Sequence, residues 1–179
     1  QWGFSQVFPA KTMCAHVTTW NKNSSVKFRT DVAMMCKLGF DIKLADMSKD
    51  DETYCRTAVQ NYNRLKPVVL EGDMYRLVSP YGSNHTSTMY VGKDKDKAAV
   101  FAFDIHPRYA EKILPVRLQG LDADKMYRVK EINLMPGANS SLSGNGEVFS
   151  GEFLMNVGLN LFTTCLLYTS DAADEARSV

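Results

Sequence analysis

No apolar run in this chain approaches the roughly 20 residues that a bilayer-spanning helix needs. The longest candidates, Val68 to Leu70 and Val157 to Phe162, are short and flanked by polar residues, so no helical span and no membrane partner are expected. Charge of one sign is missing too: 21 Lys and Arg stand against 20 Asp and Glu, scattered along the chain. Nucleic acid, which selects for a broad basic face, is therefore not an expected partner. Cys14, Cys36, Cys55 and Cys165 lie far apart, with no Cys-x-x-Cys pair and no histidine at metal-ligand spacing. A zinc site is therefore not expected, and the four read as buried, reduced core thiols. The opening residues, Gln1-Trp2-Gly3-Phe4, offer neither an initiator methionine nor a basic-then-apolar leader. The natural start is expected to lie upstream, and localisation is not legible.

What is present has globular composition, with 45% hydrophobic and 23% charged residues over 179 positions, enough for one medium domain or two small ones. Phe8 to Thr18 reads as a buried parallel strand that follows a short helical end and runs out in polar side chains. Ser25 is placed to cap a helix over Val26 to Lys37, with Gly39 as its stop and Phe40 to Leu44 as a second strand. Lys49 to Lys66 then carries Tyr54, Ala58, Asn61 or Tyr62, and Leu65 at helical spacing behind Asp50, Asp51 and Glu52, and Pro67 is expected to end it. Strand, helix, strand, helix is the pattern of a parallel α/β unit.

After Pro67 the texture changes. Val68 to Leu70, Met74 to Val78, Thr86 to Val91, Ala98 to Ile105, Ile113 to Leu118, Met126 to Ile132 and Leu159 to Thr163 are short β-prone runs between Gly-, Pro-, Asn- and Asp-rich turns. Their spacing predicts an antiparallel sandwich, giving a fold class of α/β followed by all-β with a boundary near Pro67.

In parallel α/β architectures ligands gather at the carboxyl ends of strands, which singles out His16, Thr18 and Trp20 as a candidate pocket rim. His16 can bind substrate or move a proton, and Trp20 can stack on the apolar face of a sugar ring. Asp41 and Asp46 are read as a satisfied strand residue and a helix cap rather than paired catalytic carboxylates. A sugar-binding second half would need exposed aromatics among Tyr75, Tyr81, Tyr90 and Tyr109; burial of those rings would make it structural.

Phe8-Pro9-Ala10 through Met13-Cys14-Ala15-His16-Val17-Thr18, and Arg29-Thr30-Asp31 through Leu38-Gly39-Phe40-Asp41-Ile42, resemble the last two strand-helix units of the bacterial-type glycoside hydrolase family 36 α-galactosidases. Tyr62-Asn63-Arg64-Leu65-Lys66, Leu118-Gln119-Gly120-Leu121-Asp122 with Tyr127-Arg128-Val129, and Ser143-Gly144-Asn145-Gly146 resemble the run into that family's C-terminal β domain. The resemblance implies the last two units of a (β/α)₈ TIM barrel over 1–66 and a C-terminal antiparallel β-sandwich over 67–164. It also implies a retaining hydrolase of terminal α-galactosides, with no metal or cofactor, an α-galactoside oligosaccharide as substrate and a β domain able to form homo-oligomers. N-acetylgalactosaminidase and transglycosidase activities stay open.

The family's nucleophile follows a Lys-Trp motif, whereas Trp2 and Trp20 here are followed by Gly3 and Asn21. Its acid/base belongs to a Ser-Asp-x-x-Asp motif that would fall upstream of Gln1. No catalytic residue is thus expected in this chain, which should be inert by itself; the alternative is a non-catalytic carbohydrate-binding or structural module. Cys165 to Glu175 resembles one reading frame of a sequencing-library adapter, so 165–179 is expected to be non-native and to carry no ordered structure.

Overall fold

The computed structural model describes residues 1–20, 24–108 and 111–162, together with the backbone of 176–178. Two 3₁₀ turns, Phe4–Gln6 and Ala10–Thr12, replace the expected helical end and the first half of the expected strand. Pro9 stands immediately before the second turn, and regular pairing begins only at β1, Cys14–Thr18. Ser25 does cap α1, Val26–Ala33, by accepting a bond from the Phe28 amide. The helix ends earlier than its pattern predicted. Met34, Met35 and Cys36 are buried, and the Lys37 amide bonds the Met13 carbonyl, drawing the chain into β2, Lys37–Asp41. Gly39 is therefore a strand residue rather than a helix stop, and Leu44 begins a further turn, Leu44–Asp46. β1 and β2 are parallel neighbours, as the strand-helix-strand pattern predicted.

Helix α2, Lys49–Glu71, runs straight through Pro67. Pro67 and Asn63, whose carbonyl loses its helical donor to the proline, are both exposed, so water can satisfy that carbonyl. Val68 and Val69 beyond it are buried, and their packing carries the helix a further turn. Ser48, not Asp46, is the cap, accepting from the Asp51 amide at 3.1 Å. Tyr54, Ala58 and Tyr62 form the buried stripe that the sequence spacing indicated. Gly72 follows; a Cβ there would meet the Val68 and Val91 carbonyl oxygens at 2.3 and 2.5 Å, so only glycine turns this corner.

Strands β3, Asp73–Val78, β4, His85–Val91, and β5, Ala98–Asp104, form an antiparallel meander, with β8, Ala176–Ser178, beside β5. That last pairing departs from the expectation of no ordered structure after Cys165; the rest of the expected tail lies outside the described residues. β4 and β5 are buried on both faces. Tyr90, Ala99, Phe101 and Phe103 join a core with Met34, Tyr54, Tyr62 and Val69, while Met89, Val91, Val100 and Ala102 join Leu118, Tyr127, Leu154 and Leu161 on the other side. Continuous burial explains why Ala98-Ala99-Val100-Phe101-Ala102-Phe103 is apolar without alternation.

The layer over the second face is less regular than the β-prone runs predicted. It holds the pair β6, Met126–Arg128, and β7, Val148–Ser150, then helix α3, Gly151–Asn156, which the sequence reading missed. Of the runs Ile113 to Leu118 and Leu159 to Thr163, the described residues supply a single bridge, Val116 to Leu159, because Pro115 and left-handed Gly158 interrupt the ladder; Thr163 lies outside the described residues. Val68 to Leu70 is helical.

Asp31 ties these parts together. Fully buried in α1, it accepts bonds from Lys27 Nζ at 2.6 Å, Tyr54 Oη at 3.0 Å and Asn133 Nδ2 at 2.8 Å, while Asn61 donates to Asn133 Oδ1 at 2.7 Å. Burial pushes its carboxyl above the ordinary carboxylate range, with Lys27 opposing. Asp31→Ala is expected to cost about 3–5 kcal/mol in urea denaturation, because three donors lose their acceptor. Tyr54→Phe should cost about 1 kcal/mol. A raised folded-state value means a contribution fully present at low pH and lost as pH climbs, so the Asp31→Ala deficit should narrow as pH rises above the ordinary carboxylate range. A deficit that widens contradicts this.

Candidate functional site

Because residues in register across a parallel pair point to the same side of the sheet, β1 and β2 present Cys14, His16 and Thr18 beside Lys37, Gly39 and Asp41. The other side, with Ala15, Val17 and Leu38, packs toward α1 and α2. Tyr62 fixes this register from below, donating to the Cys36 carbonyl at 2.8 Å and accepting from the Leu38 amide at 3.3 Å.

His16 is exposed near the middle of the polar face, its Nε2 3.3 Å from Cys14 Sγ. Its ring lies over Gly39: a Cβ there would come within 2.5 Å of His16 Cδ2. The absent side chain of Gly39 thus creates the seat that holds the imidazole across the sheet. Thr18 closes the strand half-buried, opposite Asp41, and Arg29 Nη1 bonds its carbonyl at 2.6 Å, tying the strand end to α1. Trp20, just beyond, is 86% exposed. Thr18 and Trp20 thus stand at and just beyond the end of β1, while His16 lies at the middle of the strand.

The face can offer hydroxyl-binding donors and acceptors and an aromatic platform. Of its six in-register residues only Asp41 is a carboxylate, and Asp46 sits apart in the Leu44–Asp46 turn. Double displacement at a glycosidic carbon, which needs two carboxyl groups across one sugar, has no such pair here. Among the described residues no cluster of three His, Cys, Asp or Glu side chains forms a metal centre. Cys36 and Cys55 are buried thiols pushed up to about 11 by desolvation, inert as expected, whereas Cys14 is exposed, contrary to the reading of all four as core thiols; Cys165 lies outside the described residues.

The aromatic test of a sugar-binding second half goes against binding. Tyr90 is buried and donates to the Met35 carbonyl at 2.8 Å, the Tyr75 ring lies against Gly120, and Tyr81 is exposed; Tyr109 lies outside the described residues.

Comparison with known proteins agrees over both halves. A family model described as the glycosyl hydrolase family 36 C-terminal domain matches residues 85–175, and one described as Melibiase matches residues 1–72. Over 165 residues the chain is 33% identical to Alpha-galactosidase 2 of Hypocrea jecorina, covering 89% of this chain and 20% of that protein. Alpha-galactosidase AgaA of Geobacillus stearothermophilus is 27% identical over 149 residues, covering 80% and 20%. The crystal structure of that enzyme superposes with a TM-score of 0.79 at 26% identity, covering 99% of this chain and 23% of the other. Variants of it have been crystallised with raffinose and with stachyose. This chain thus spans about a fifth of the length of the curated relatives it matches. With one family model on the parallel α/β part, another on the antiparallel part, and a solved member matching across nearly all of it, the chain belongs to glycoside hydrolase family 36.

Proposed function

We propose that this chain is the C-terminal portion of a retaining α-galactosidase that removes terminal α-galactosyl residues from oligosaccharides, with the polar face of β1 and β2 as part of the wall and rim of its pocket. The observation that carries this reading is the parallel pair itself. Two strands are too few to bury a sheet, and β1 and β2 pair only with each other among the described residues. Phe40, Leu44 and Val59 stay exposed beside them, along a groove of about 630 Å³ between β2 and α2. A strand pair with open edges, an apolar flank and one polar face is what the closing units of a (β/α)₈ barrel present when considered alone.

On this reading 1–66 is the end of the catalytic barrel, 67–164 an antiparallel β-sandwich packed on it and available for contacts between copies, and 165–179 a non-native tail. AgaA variants in complex with raffinose and stachyose support α-galactoside oligosaccharides as the substrate class. The two carboxyl groups of a retaining enzyme stand roughly 5–5.5 Å apart across the sugar, and both would come from residues preceding Gln1. This chain's part in the reaction is then to orient and select. His16, held over Gly39, offers an imidazole to a sugar hydroxyl; Thr18 adds a hydroxyl; Trp20 gives a second sugar unit an apolar face.

The test is to sequence the DNA upstream of this reading frame and assay the longer protein. In-frame Lys-Trp-Asp and Ser-Asp-x-x-Asp motifs, with hydrolysis of an aryl α-galactoside and retention of anomeric configuration, are the expected results; the 179-residue chain alone should show no turnover. Absence of those carboxylates, or turnover by the chain alone, overturns the reading. In the longer enzyme Trp20→Ala should raise KM for a trisaccharide roughly tenfold, the loss of about 1.4 kcal/mol of stacking, and leave an aryl galactoside unaffected. Gly39→Val, which displaces the His16 ring, should lower kcat/KM for both substrates by tenfold or more.

A further inference from the structure

Of the described cysteines only Cys14 is exposed. It opens β1 on the polar face, and its Sγ lies 3.3 Å from His16 Nε2, within reach of a sulfur hydrogen bond. The imidazole is not free to swing away, because its ring fills the space that a side chain at Gly39 would take. Cys36 and Cys55 are buried instead, and desolvation pushes both thiols up to about 11. An exposed thiol beside a fixed imidazole is the nucleophile-and-base pair that activates sulfur.

What surrounds the thiol indicates what it would meet. A hollow of about 590 Å³ beside Cys14 is lined by Phe4, Phe8, Met13 and Gln1. Gln1 Oε1 is buried there and has no hydrogen-bond partner. An apolar wall with one unpaired acceptor suits a small organic molecule that carries an amide or ammonium donor. Lys37, exposed and in register with Cys14 on the same face, adds a cation that favours a carboxylate on that molecule. Amide, ammonium and carboxylate together describe a short peptide.

We propose that Cys14, with His16 as its proton acceptor, is a thiol-exchange site that takes small peptide disulfides and closes the polar face for as long as the mixed disulfide stands. The Cys14 S–H proton passes to His16 Nε2, and Sγ attacks one sulfur of the disulfide. A new S–S bond forms as the old one breaks, and the departing thiolate takes the proton from His16 and leaves as a thiol. Cys14 is oxidised, the leaving half is reduced, and no other electron acceptor is needed. A free thiol runs the step backward and reopens the face. Exchange itself stands on Cys14 and His16; its effect on sugar rests on the pocket reading above.

Incubation of the 179-residue chain with oxidised glutathione at neutral pH, followed by peptide mapping in a mass spectrometer, should place a glutathionyl group on Cys14 and none on Cys36 or Cys55. A synthetic peptide of residues 12–20 has the same Cys-Ala-His spacing without the Gly39 seat, so the folded chain should react about tenfold faster or more. His16→Asn should erase that advantage, and Gly39→Ala, which displaces the ring, should reduce it. Modification no faster than the peptide's, or a His16→Asn chain as fast as wild type, overturns the proposal. The comparison with the peptide uses the wild-type chain, so a poorly folding variant does not blunt it. In the longer enzyme, glutathionylation should lower hydrolysis of an aryl α-galactoside about tenfold or more, with recovery in dithiothreitol and protection by excess galactose. Full hydrolysis by the glutathionylated enzyme overturns the proposal too. A longer enzyme with no hydrolysis before modification contradicts the pocket reading instead, and the exchange rates of the 179-residue chain then decide this proposal by themselves.

Discussion

The two helices behind the candidate pocket are tied to each other and to the second half of the chain by one buried carboxylate. Asp31 has no water to replace the bonds it receives, so Lys27, Tyr54 and Asn133 must all be in place whenever it is ionised. These three come from α1, α2 and the segment before Met135, and Asn133 adopts a left-handed backbone conformation (φ 58°) that asparagine tolerates better than most residues. A polar knot of this kind adds little net stability over an apolar core of equal volume, but it penalises misalignment among its parts. Here those parts are the helix after β1, the helix after β2 and the second half of the chain.

From that constraint the position of the polar face follows. α1 and α2 lie against one side of β1 and β2, leaving Cys14, His16, Thr18, Lys37, Gly39 and Asp41 on the other. The β3–β5 meander continues the same core through Tyr90, Phe101 and Phe103, so the second half acts as a rigid backing for α1 and α2. Burial of Tyr90 fits this structural role, and no concave row of aromatics marks the meander as a sugar platform.

The sequence was informative wherever one local cause dominated. Ser25 capped a helix because its side chain reaches the Phe28 amide, and the Tyr54, Ala58, Tyr62 stripe was legible because burial and helical period coincide. It misled where a tertiary effect outweighed a local one: Pro67 failed to end α2 because Val68 and Val69 bury beyond it, and Gly39 failed to end α1 because β1 captured Lys37. The loss of strand at Ile113 to Leu118 is the same lesson, since β-prone residues make ladder only where a partner keeps register. His16, Thr18 and Trp20 could be nominated from strand-end logic, but the seat Gly39 makes for His16 depends on cross-strand register, which no single stretch reveals.

The central claim is that this chain shapes an α-galactoside pocket whose reactive carboxylates come from elsewhere in a longer enzyme. A crystal structure of that enzyme with a bound α-galactoside trisaccharide tests it most directly. The account predicts sugar within contact distance of His16 and Trp20, with both carboxyl groups flanking the scissile bond supplied by residues that precede Gln1. Sugar bound away from His16 and Trp20, or a reactive carboxylate drawn from residues 1–162, would contradict it.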